Sequence, residues 1–302
     1  MTILKDTDTG RKVAELLYNA FPTTGILGKT EMPEDLVPRG IERGSLDHLL
    51  FLTFTVAIDY QRDAVDLWHS SIKTFEDTAT RYLYNPKPLN EASPGKIIED
   101  MQKHGLSKKP RKDAHIWRTI GVTFYKKWNS DPREFLEHCD WSSMTILDKL
   151  KNDTHLYNKR PRPDYPYLRG PKIGPLWLRM LRDNAGIKQL KNLDKVPIPV
   201  DIHVARATLA TGVIRGKTQG QLHDLFEDVR RAWAESVKGL SAKARPMIAL
   251  DVDEPLWHLS KYGCTYRDKE NGVCPASGQC EAREFCVKGK IAIEKSFLDL
   301  NT

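Results

Sequence analysis

Four of the five cysteines of this chain lie within its last forty residues, at Cys264, Cys274, Cys280 and Cys286, whereas Cys139 stands far from them. In a reducing compartment, clustered cysteines are typical of metal ligands rather than of disulfides. The intervals of nine, five and five residues contain no close Cys-x2-Cys pair of the kind that holds zinc. Four thiolates on open loops suit the larger [4Fe–4S] cluster. The segment therefore predicts an iron–sulfur cluster, with zinc or unligated cysteines as the alternatives.

A carboxylate follows a proline-rich segment further upstream. Residues 197–206 read Pro-Ile-Pro-Val-Asp-Ile-His-Val-Ala-Arg, so the prolines keep the backbone extended and Asp201 stands where a helix N-cap belongs. Capping alone would explain this aspartate. The functional alternative is a carboxylate that the helix start holds at one point in a cleft. His203 has no second histidine at ligand spacing, and we expect it to be structural.

A lysine stands at the start of another predicted helix. Residues 166–181 join a Gly-Pro turn to an apolar helix, and backbone N–H groups at such a start can bind a phosphate without reading the base sequence. Lys172 would lie in the first turn, where a cation opposes the helix dipole. It could serve as an amine nucleophile or a phosphate contact, or be an exposed, solvated side chain.

The elements that must position these residues are predicted to be helices. Ser45 and Ser93 are predicted N-caps, and a basic loop over residues 105–112 separates two helices. No strand pair is expected, and the proline-punctuated residues 158–166 are expected to form a loop. The chain is therefore predicted to be all-α. The predicted helices are residues 11–21, a helix from 45 onward, 63–77, 94–104, 113–128, 132–139, 144–151, 171–183, 201–212 and 220–238.

Length and charge set broad limits. The 302 residues suffice for one large domain or two ordinary ones. A net charge of +7 suits a polyanionic partner without requiring one. The longest apolar run, residues 49–58, is too short to cross a bilayer, and polar residues follow Met1. We expect a soluble, intracellular protein with no membrane partner.

In their order along the chain, the Gly-Pro-Lys hairpin, the Pro-Val-Asp-x-His-Val segment and the four terminal cysteines resemble the helix-hairpin-helix DNA glycosylases of the endonuclease III superfamily, in its iron–sulfur branch. Residues 256–264, Leu-Trp-His-Leu-Ser-Lys-Tyr-Gly-Cys, are also similar to that family. The resemblance covers residues 45–290. It implies two helical domains that flank a DNA-binding cleft. One comprises residues 45–187 with the helix-hairpin-helix, and the other comprises residues 1–44 and 188–302 with the cluster.

The resemblance also implies roles for individual residues. Lys172 and Asp201 fall at the catalytic lysine and aspartate of the family, and the four clustered cysteines fall at its [4Fe–4S] ligands. The segment 168–174 falls at the hairpin turn that grips a DNA phosphate, and residues 55–62 resemble the loop that enters the gap left by an extruded base. The implied DNA-binding residues are Leu168, Gly170, Gly174, Tyr60, Gln61 and Arg62.

The chain departs from the family pattern in its hairpin, in a longer interval between Lys172 and Asp201, and in its cysteine spacing. The family hairpin has Gly-x-Gly before its lysine, but here Leu168 stands at the first glycine and Gly170 at the second. Shifting the alignment by two residues matches Gly170 to the first glycine and puts Gly174 at the nucleophile, and a shift of four puts Leu176 there. Such an enzyme would break only the glycosidic bond, with activated water. The cysteine spacing is also wider than the usual one, and only its last interval agrees.

By this resemblance the chain is a DNA glycosylase of base-excision repair with abasic-site lyase activity, acting as a monomer on nucleoid DNA that holds a damaged or modified base. A monofunctional glycosylase and a non-catalytic iron–sulfur DNA-binding protein are the alternatives. The excised base is not predicted. Most of the large aromatic residues are expected to be core, and at most one or two should touch substrate: Trp117, Trp128, Trp141, Trp177 and Trp257.

Overall fold

The structure, a computed structural model, describes residues 2–28 and 32–302. Helices dominate these ranges, which confirms the predicted all-α class. Twelve α-helices occur in them: α1 (Thr7–Ala20), α2 (Leu46–Val56), α3 (Ala64–Glu76), α4 (Pro86–Glu91), α5 (Pro94–Lys103), α6 (Pro110–Lys127), α7 (Pro132–His138), α8 (Ser143–Asn152), α9 (Ile173–Asp183), α10 (Ile202–Ala210), α11 (Phe226–Val237) and α12 (Asp253–Tyr262).

Short strands are also present, so the expectation of no strand pair was wrong. The strands β1, β4, β8 and β7 form one antiparallel sheet in that order, while β2–β3 and β5–β6 are two-stranded ribbons. The predicted helix 220–238 starts as an α-helix only at Phe226, because residues 220–221 pair as the end of β4 and residues 222–225 form a 3₁₀ turn. The strands are β1 (Thr2–Lys5), β2 (Thr154–Tyr157), β3 (Arg160–Pro163), β4 (Ile214–Gln221), β5 (Ser241–Ala242), β6 (Arg245–Pro246), β7 (Lys290–Glu294) and β8 (Phe297–Asn301).

The chain forms two compact units. Unit 1 contains residues 2–28 and 196–302, and unit 2 contains residues 32–195. Unit 1 is discontinuous in sequence, because β1 pairs with β4 and α1 packs against α11. Residue 1 and residues 29–31, which the sequence analysis placed in the domain with the cluster, lie outside the described ranges.

The core of unit 1 joins the two ends of the chain. Val13, Ala14 and Leu17 form the apolar stripe of α1 and are fully buried in a cluster that includes Trp233 of α11. The indole N–H of Trp233 donates to Thr208 Oγ1 over 2.8 Å, so this large ring is buried without an unpaired donor. Burial of apolar side chains supplies most of the stability of such a core.

Unit 2 is built around a helix that is buried along nearly its whole length. Every residue of α2 from 48 to 56 is buried, as expected for a helix that is apolar on all sides. Phe54 of α2 stacks on Trp117 of α6, with ring centroids 5.1 Å apart. Trp117 and Trp177 are both fully buried and donate their indole N–H groups inside unit 2, so these two belong to the core as expected.

Several predicted helix starts are confirmed. Ser45 accepts the backbone N–H of His48 at the start of α2, and Ser93 caps α5 in the same way. Asp201 is the N-cap of α10. None of the helices in the described ranges has the length and apolar character needed to cross a membrane.

Candidate functional site

The turn before α9 is tightly packed against α8. Leu168 is fully buried, and Gly170 N–H donates to the carbonyl of Tyr167 over 2.9 Å. A Cβ atom on Gly174 would lie 2.9 Å from the Leu168 carbonyl oxygen and 2.9 Å from a methyl of Leu147 in α8. Glycine is therefore required where the turn and the two helices approach one another. Of the predicted DNA-binding residues in this segment, Leu168 therefore has no accessible side chain, and Gly170 and Gly174 offer only backbone atoms.

Lys172 lies at the N-cap of α9 and not inside its first turn as predicted. Its side chain is 28% exposed, and its Nζ lies 3.2 Å from Asp59 Oδ2. Asp59 follows α2 and is itself mostly buried. This ion pair joins the turn before α9 to the segment after α2, both within unit 2.

A second contact joins the same two segments. The rings of Tyr60 and Tyr167 stack with centroids 4.4 Å apart and an interplanar angle of 28°. Tyr167 has a φ of 68°, so the turn adopts the left-handed region at the residue that presents this ring. The segment containing Tyr60 and the hairpin turn, predicted separately from the sequence, are therefore adjacent.

A buried carboxylate fixes Tyr60. Asp113 in the first turn of α6 is 2% exposed and accepts the Tyr60 hydroxyl proton on Oδ1. Its Oδ2 accepts Ser107 Oγ at 2.7 Å and the backbone N–H groups of Lys108 and Lys109 at 3.0 and 2.9 Å. Burial, followed by the bond to Asp113, raises the pKa of Tyr60 far above its ordinary value. The phenol therefore stays protonated, and residues 107–109 of the basic loop are fixed beside it.

Two cations lie over the stacked rings. Lys112 Nζ is 5.0 Å from the ring centroid of Tyr60 and 4.9 Å from that of Tyr167, and Lys109 Nζ is 5.1 Å from the ring of Tyr60. These are cation–π distances. We call these four residues the tyrosine–lysine cluster. It places exposed positive charge beside the hairpin turn, an arrangement that suits a phosphate backbone.

The other two residues predicted to enter a base gap differ in exposure. Gln61 is exposed, has a φ of 52° and accepts a hydrogen bond from Lys109 Nζ. Arg62 donates from Nη1 to the carbonyl of Leu106 over 2.6 Å, and burial lowers its pKa. Arg62 therefore packs against the basic loop, whereas Gln61 presents the more accessible side chain of the two.

Asp201 belongs to unit 1, where the structure fixes its orientation. Its Oδ1 accepts the backbone N–H groups of His203 and Val204 at 2.8 and 3.0 Å. His203 Nδ1 lies 3.2 Å from Ser260 Oγ, and its ring lies 5.5 Å from that of Trp257. These contacts with α12 agree with the structural role expected for His203.

The cysteine segment 264–286 is a series of short 3₁₀ turns in unit 1. All four cysteines are free thiols, with Cys264 and Cys280 buried. Burial raises the pKa of Cys264, and the charges of Cys280, Cys286 and Cys274 raise it further, so the four thiols lie within electrostatic range of one another. Burial likewise raises the pKa of Cys280 to about 12.

No three His, Cys, Asp or Glu side chains in residues 2–28 and 32–302 are arranged so that they could hold a metal ion. The four thiols are thus neighbours without forming a closed single-ion site. Arg267 ties the segment together, because its guanidinium donates to the carbonyls of Val287 and Gly289 at 2.9 and 3.0 Å. Four free thiols on one segment are the donor set that a [4Fe–4S] cluster takes.

Sequence reasoning missed several residues of this site. Asp59 and Tyr167 carry no local pattern that marks them, since their partners Lys172 and Tyr60 lie more than 100 residues away in sequence. Asp113 was not singled out either, although it binds the basic loop just before it as well as the distant Tyr60. The basic loop was visible in the sequence as a run of lysines. The aspartate directly after it, Asp113, was the available signal that a carboxylate binds the backbone N–H groups of this loop.

No protein-family model matches this chain, and no curated protein sequence does. Among solved structures, a non-covalent endonuclease III–DNA complex matches with a TM-score of 0.53 at 13% identity, covering 93% of this chain and 98% of that one. A trapped endonuclease III–DNA covalent intermediate, an estranged-adenine complex, matches with a TM-score of 0.52 at 14% identity, covering 93% and 99%. The chain therefore has the fold of endonuclease III, the architecture that its hairpin, Pro-Val-Asp and cysteine segments predicted.

Proposed function

We propose that this protein is a DNA glycosylase of base-excision repair, which removes a damaged or modified base from double-stranded DNA. One observation carries the proposal: in a chain with the endonuclease III fold, the turn before α9 and the segment after α2 meet through the Lys172–Asp59 pair and the Tyr60–Tyr167 stack. The basic loop borders this junction. The two matched solved structures are themselves endonuclease III–DNA complexes.

Access to the glycosidic bond requires that the target nucleotide be rotated out of the duplex. We assign phosphate binding to the turn at residues 168–174 and to Lys109 and Lys112 of the tyrosine–lysine cluster. Gln61, exposed and on a strained backbone, is our candidate for filling the gap that the base leaves. Tyr60 and Arg62 would support it, because both are held by hydrogen bonds at the sides of the same segment.

We assign to Asp201 the stabilisation of positive charge on the sugar as the base departs. The two N–H groups at the start of α10 fix this carboxylate, and a fixed charge costs no reorganisation during the reaction. In the bifunctional reaction, the neutral amine of Lys172 attacks C1′ and the base leaves with the bonding electrons. The adduct opens to a Schiff base, and loss of a C2′ proton then expels the 3′ phosphate.

A second candidate is a monofunctional glycosylase, and one observation favours it. Lys172 lies outside α9, and its Nζ pairs with Asp59. An ammonium group has no lone pair, so Lys172 must leave Asp59 and lose a proton before it can attack carbon. In this second reaction Asp201 activates a water molecule that attacks C1′, Lys172 contacts phosphate, and the strand stays intact.

We propose that Cys264, Cys274, Cys280 and Cys286 hold a [4Fe–4S] cluster. The donor type supports this, since four thiols on one segment are the ligands that such a cluster takes and none of them forms a disulfide. When bound, the cluster would cross-link the loop segment and leave the bond cleavage to Asp201 and Lys172, because release of a base requires no electron transfer. We further propose that the protein acts as a monomer on intracellular DNA.

A panel of duplexes that carry single oxidised, deaminated, mismatched or bulky bases tests the proposal. We expect base release from at least one of them, and Asp201→Asn should slow that release by about 10²- to 10⁴-fold. Borohydride reduction during turnover should trap a protein–DNA adduct if Lys172 forms a Schiff base. Lys172→Gln should then abolish the adduct, while Lys126→Gln, at an exposed position of α6, should leave it unchanged.

The outcomes separate the candidates. Base release without a trapped adduct, in the native chain as in Lys172→Gln, would establish the monofunctional reaction. Absence of release from every duplex, together with retained DNA binding, would contradict both reactions and leave a non-catalytic DNA-binding protein.

A further inference from the structure

The chain between α8 and α9 is longer than a simple turn. It contains β2 and β3, which pair antiparallel in the register Thr154↔Pro163 to Tyr157↔Arg160. We call residues 154–163 the ribbon. Asn158 and Lys159 at its tip have φ values of 48° and 60°, which are those of a two-residue type I′ hairpin turn. Residues 158–163 of the expected loop are thus part of an ordered β-hairpin in the chain that joins α8 to α9.

The base of the ribbon is firmly anchored in unit 2. Asp164 is 1% exposed, and its carboxylate accepts Lys127 Nζ of α6 at 2.6 Å and lies 2.9 Å from His155 Nδ1 of β2. The Asp164 N–H donates to the carbonyl of Asp153 over 3.1 Å, which closes the two strands. The orientation of the ribbon relative to α6 and α9 is therefore fixed at its base.

The outer part of the ribbon, by contrast, is uncovered on both faces. The register puts Tyr157 and Arg160 on one face and Leu156 and Pro161 on the other. Leu156 is 77% exposed and Tyr157 is 60% exposed. A two-stranded hairpin standing alone in water is marginally stable. The exposure of two large side chains on an ordered ribbon therefore indicates that another molecule covers this part of the surface.

The charge of the ribbon indicates what that partner is. Lys159, Arg160 and Arg162 are exposed, and within the described part of the chain none of them makes an ion pair or a side-chain hydrogen bond. Residues 154–163 contain no Asp or Glu. Some other cations of unit 2, such as Arg133 and Lys191, pair with neighbouring carboxylates. Uncompensated positive charge on an ordered hairpin complements a polyanion.

We propose that the ribbon is a second DNA-contacting element, which binds the duplex beside the target nucleotide. This inference rests on the proposed function and extends it. Arg160 and Arg162 would bind phosphates, and the width of a two-stranded β-ribbon matches that of the major groove. Since the ribbon lies in the sequence directly before the turn that we assign to phosphate binding, one DNA molecule would engage both.

Titration of DNA by fluorescence anisotropy at several salt concentrations tests the ribbon. Arg160→Ala/Arg162→Ala should weaken binding several-fold at low salt and lower the slope of log affinity against log salt by about two, since each phosphate contact contributes about 0.9. The matched control is Lys73→Ala/Lys87→Ala, which removes two exposed charges of α3 and α4 that make no ion pair within residues 2–28 and 32–302. Both variants should keep the circular dichroism spectrum and unfolding midpoint of the native chain.

A hydroxyl-radical footprint on the DNA duplex used for the titration shows independently which nucleotides the protein covers. We expect the arginine variant to lose protection on one side of the lesion and to retain it elsewhere. Equal slopes and equal footprints for the arginine and lysine variants would overturn the inference. A concentration-dependent dimer of the native chain that Leu156→Ser/Tyr157→Ser abolishes would overturn it too, because a second copy would then cover the ribbon.

The ribbon and the proposed function fail in different ways. If the native chain releases no base but the arginine variant still loses affinity and footprint, the ribbon binds DNA and the enzymatic proposal is wrong. If the native chain releases a base and the arginine variant matches it in affinity, footprint and salt slope, the enzymatic proposal stands and the ribbon inference is wrong.

Discussion

Asp113 is buried, yet it fixes the positions of exposed residues in the tyrosine–lysine cluster. Its buried carboxylate accepts four hydrogen bonds, from the Tyr60 hydroxyl, the Ser107 hydroxyl and two backbone N–H groups of the basic loop. A carboxylate with this many donors compensates its own desolvation. The positions of Tyr60 and Lys109, two members of the tyrosine–lysine cluster, therefore depend on a side chain that is itself hidden from any DNA.

His48 makes the stability of unit 2 depend on pH. It is fully buried near the start of α2, its Nδ1 accepts the N–H of Gly44 at 3.0 Å, and its Nε2 has no hydrogen-bond partner among the described residues. Burial, aided by the charge of Arg43, lowers its pKa from 6.5 to about 4. Between these pH values the unfolded chain binds the extra proton, so this contribution to stability is complete above pH 6.5 and is lost as the pH falls towards 4.

We therefore expect the free energy of unfolding to fall below pH 6.5 with a slope that approaches about 1.4 kcal/mol per pH unit from this residue. Urea unfolding at several pH values measures it. His48→Asn keeps an acceptor for Gly44 and should flatten the slope, whereas His69→Asn, at an exposed position of α3, should not. An unchanged slope in His48→Asn would show that His48 is not the titrating group.

At the scale of elements, the packing of α8, the turn and α9 depends on one glycine. A Cβ atom on Gly174 would approach both the Leu168 carbonyl and Leu147 to 2.9 Å, closer than a real Cβ atom tolerates. We expect Gly174→Ala to lower the free energy of unfolding by about 1–3 kcal/mol through overpacking. Gly95→Ala in α5 meets nothing within 4 Å, and its stability should be unchanged or slightly higher. Equal stability of the two variants in urea would contradict the packing that we describe.

The cysteine segment gives a second prediction at this scale. Protein prepared without oxygen should contain about four iron atoms per chain and show broad visible absorbance. Cys274→Ser should lower the iron content strongly, because one thiolate ligand is lost. Cys139→Ser removes a buried cysteine of unit 2 outside the segment and should leave iron content unchanged. Stoichiometric zinc and a colourless protein would contradict the proposed cluster.

Ten of the twelve helices in the described ranges could be predicted from the sequence because their signals are local, as where Ser45 and Asp201 cap the helices that follow them. Helices α4 and α12 were not predicted. The strands could not be predicted. β4 contains two glycines and few apolar residues, and β3 reads Arg-Pro-Arg-Pro, which is typical of a loop. The Tyr60–Tyr167 stack joins residues more than a hundred positions apart, which no local pattern encodes.

At the scale of the whole molecule, unit 1 is discontinuous in sequence, so a mutation near one end of the chain can change the stability of elements near the other end. Leu17 of α1 is fully buried in a core otherwise formed mainly by residues 198–300. Unit 2 is continuous in sequence and has its own core around α2. A cavity made in α1 should therefore destabilise mainly the elements formed by residues 198–300, which are distant from α1 in sequence.

We expect Leu17→Ala to destabilise unit 1 by about 2–5 kcal/mol. Hydrogen exchange should then accelerate in α10 and α11, while the amides of α2 and α9 keep their native rates. Leu4→Ala, at a 58% exposed position of β1, is the control and should change neither group of amides. Uniform acceleration in both units would show that they unfold as one.

The pairing of β1 with β4 also bears on how the chain is made. A strand at residues 2–5 finds its partner at residues 214–217 only after some two hundred further residues have left the ribosome. Unit 2 meanwhile has its complete sequence and can fold first. The apolar stripe of α1 therefore lacks its core partners until residues 198–300 have been made, and in that interval it is exposed to aggregation.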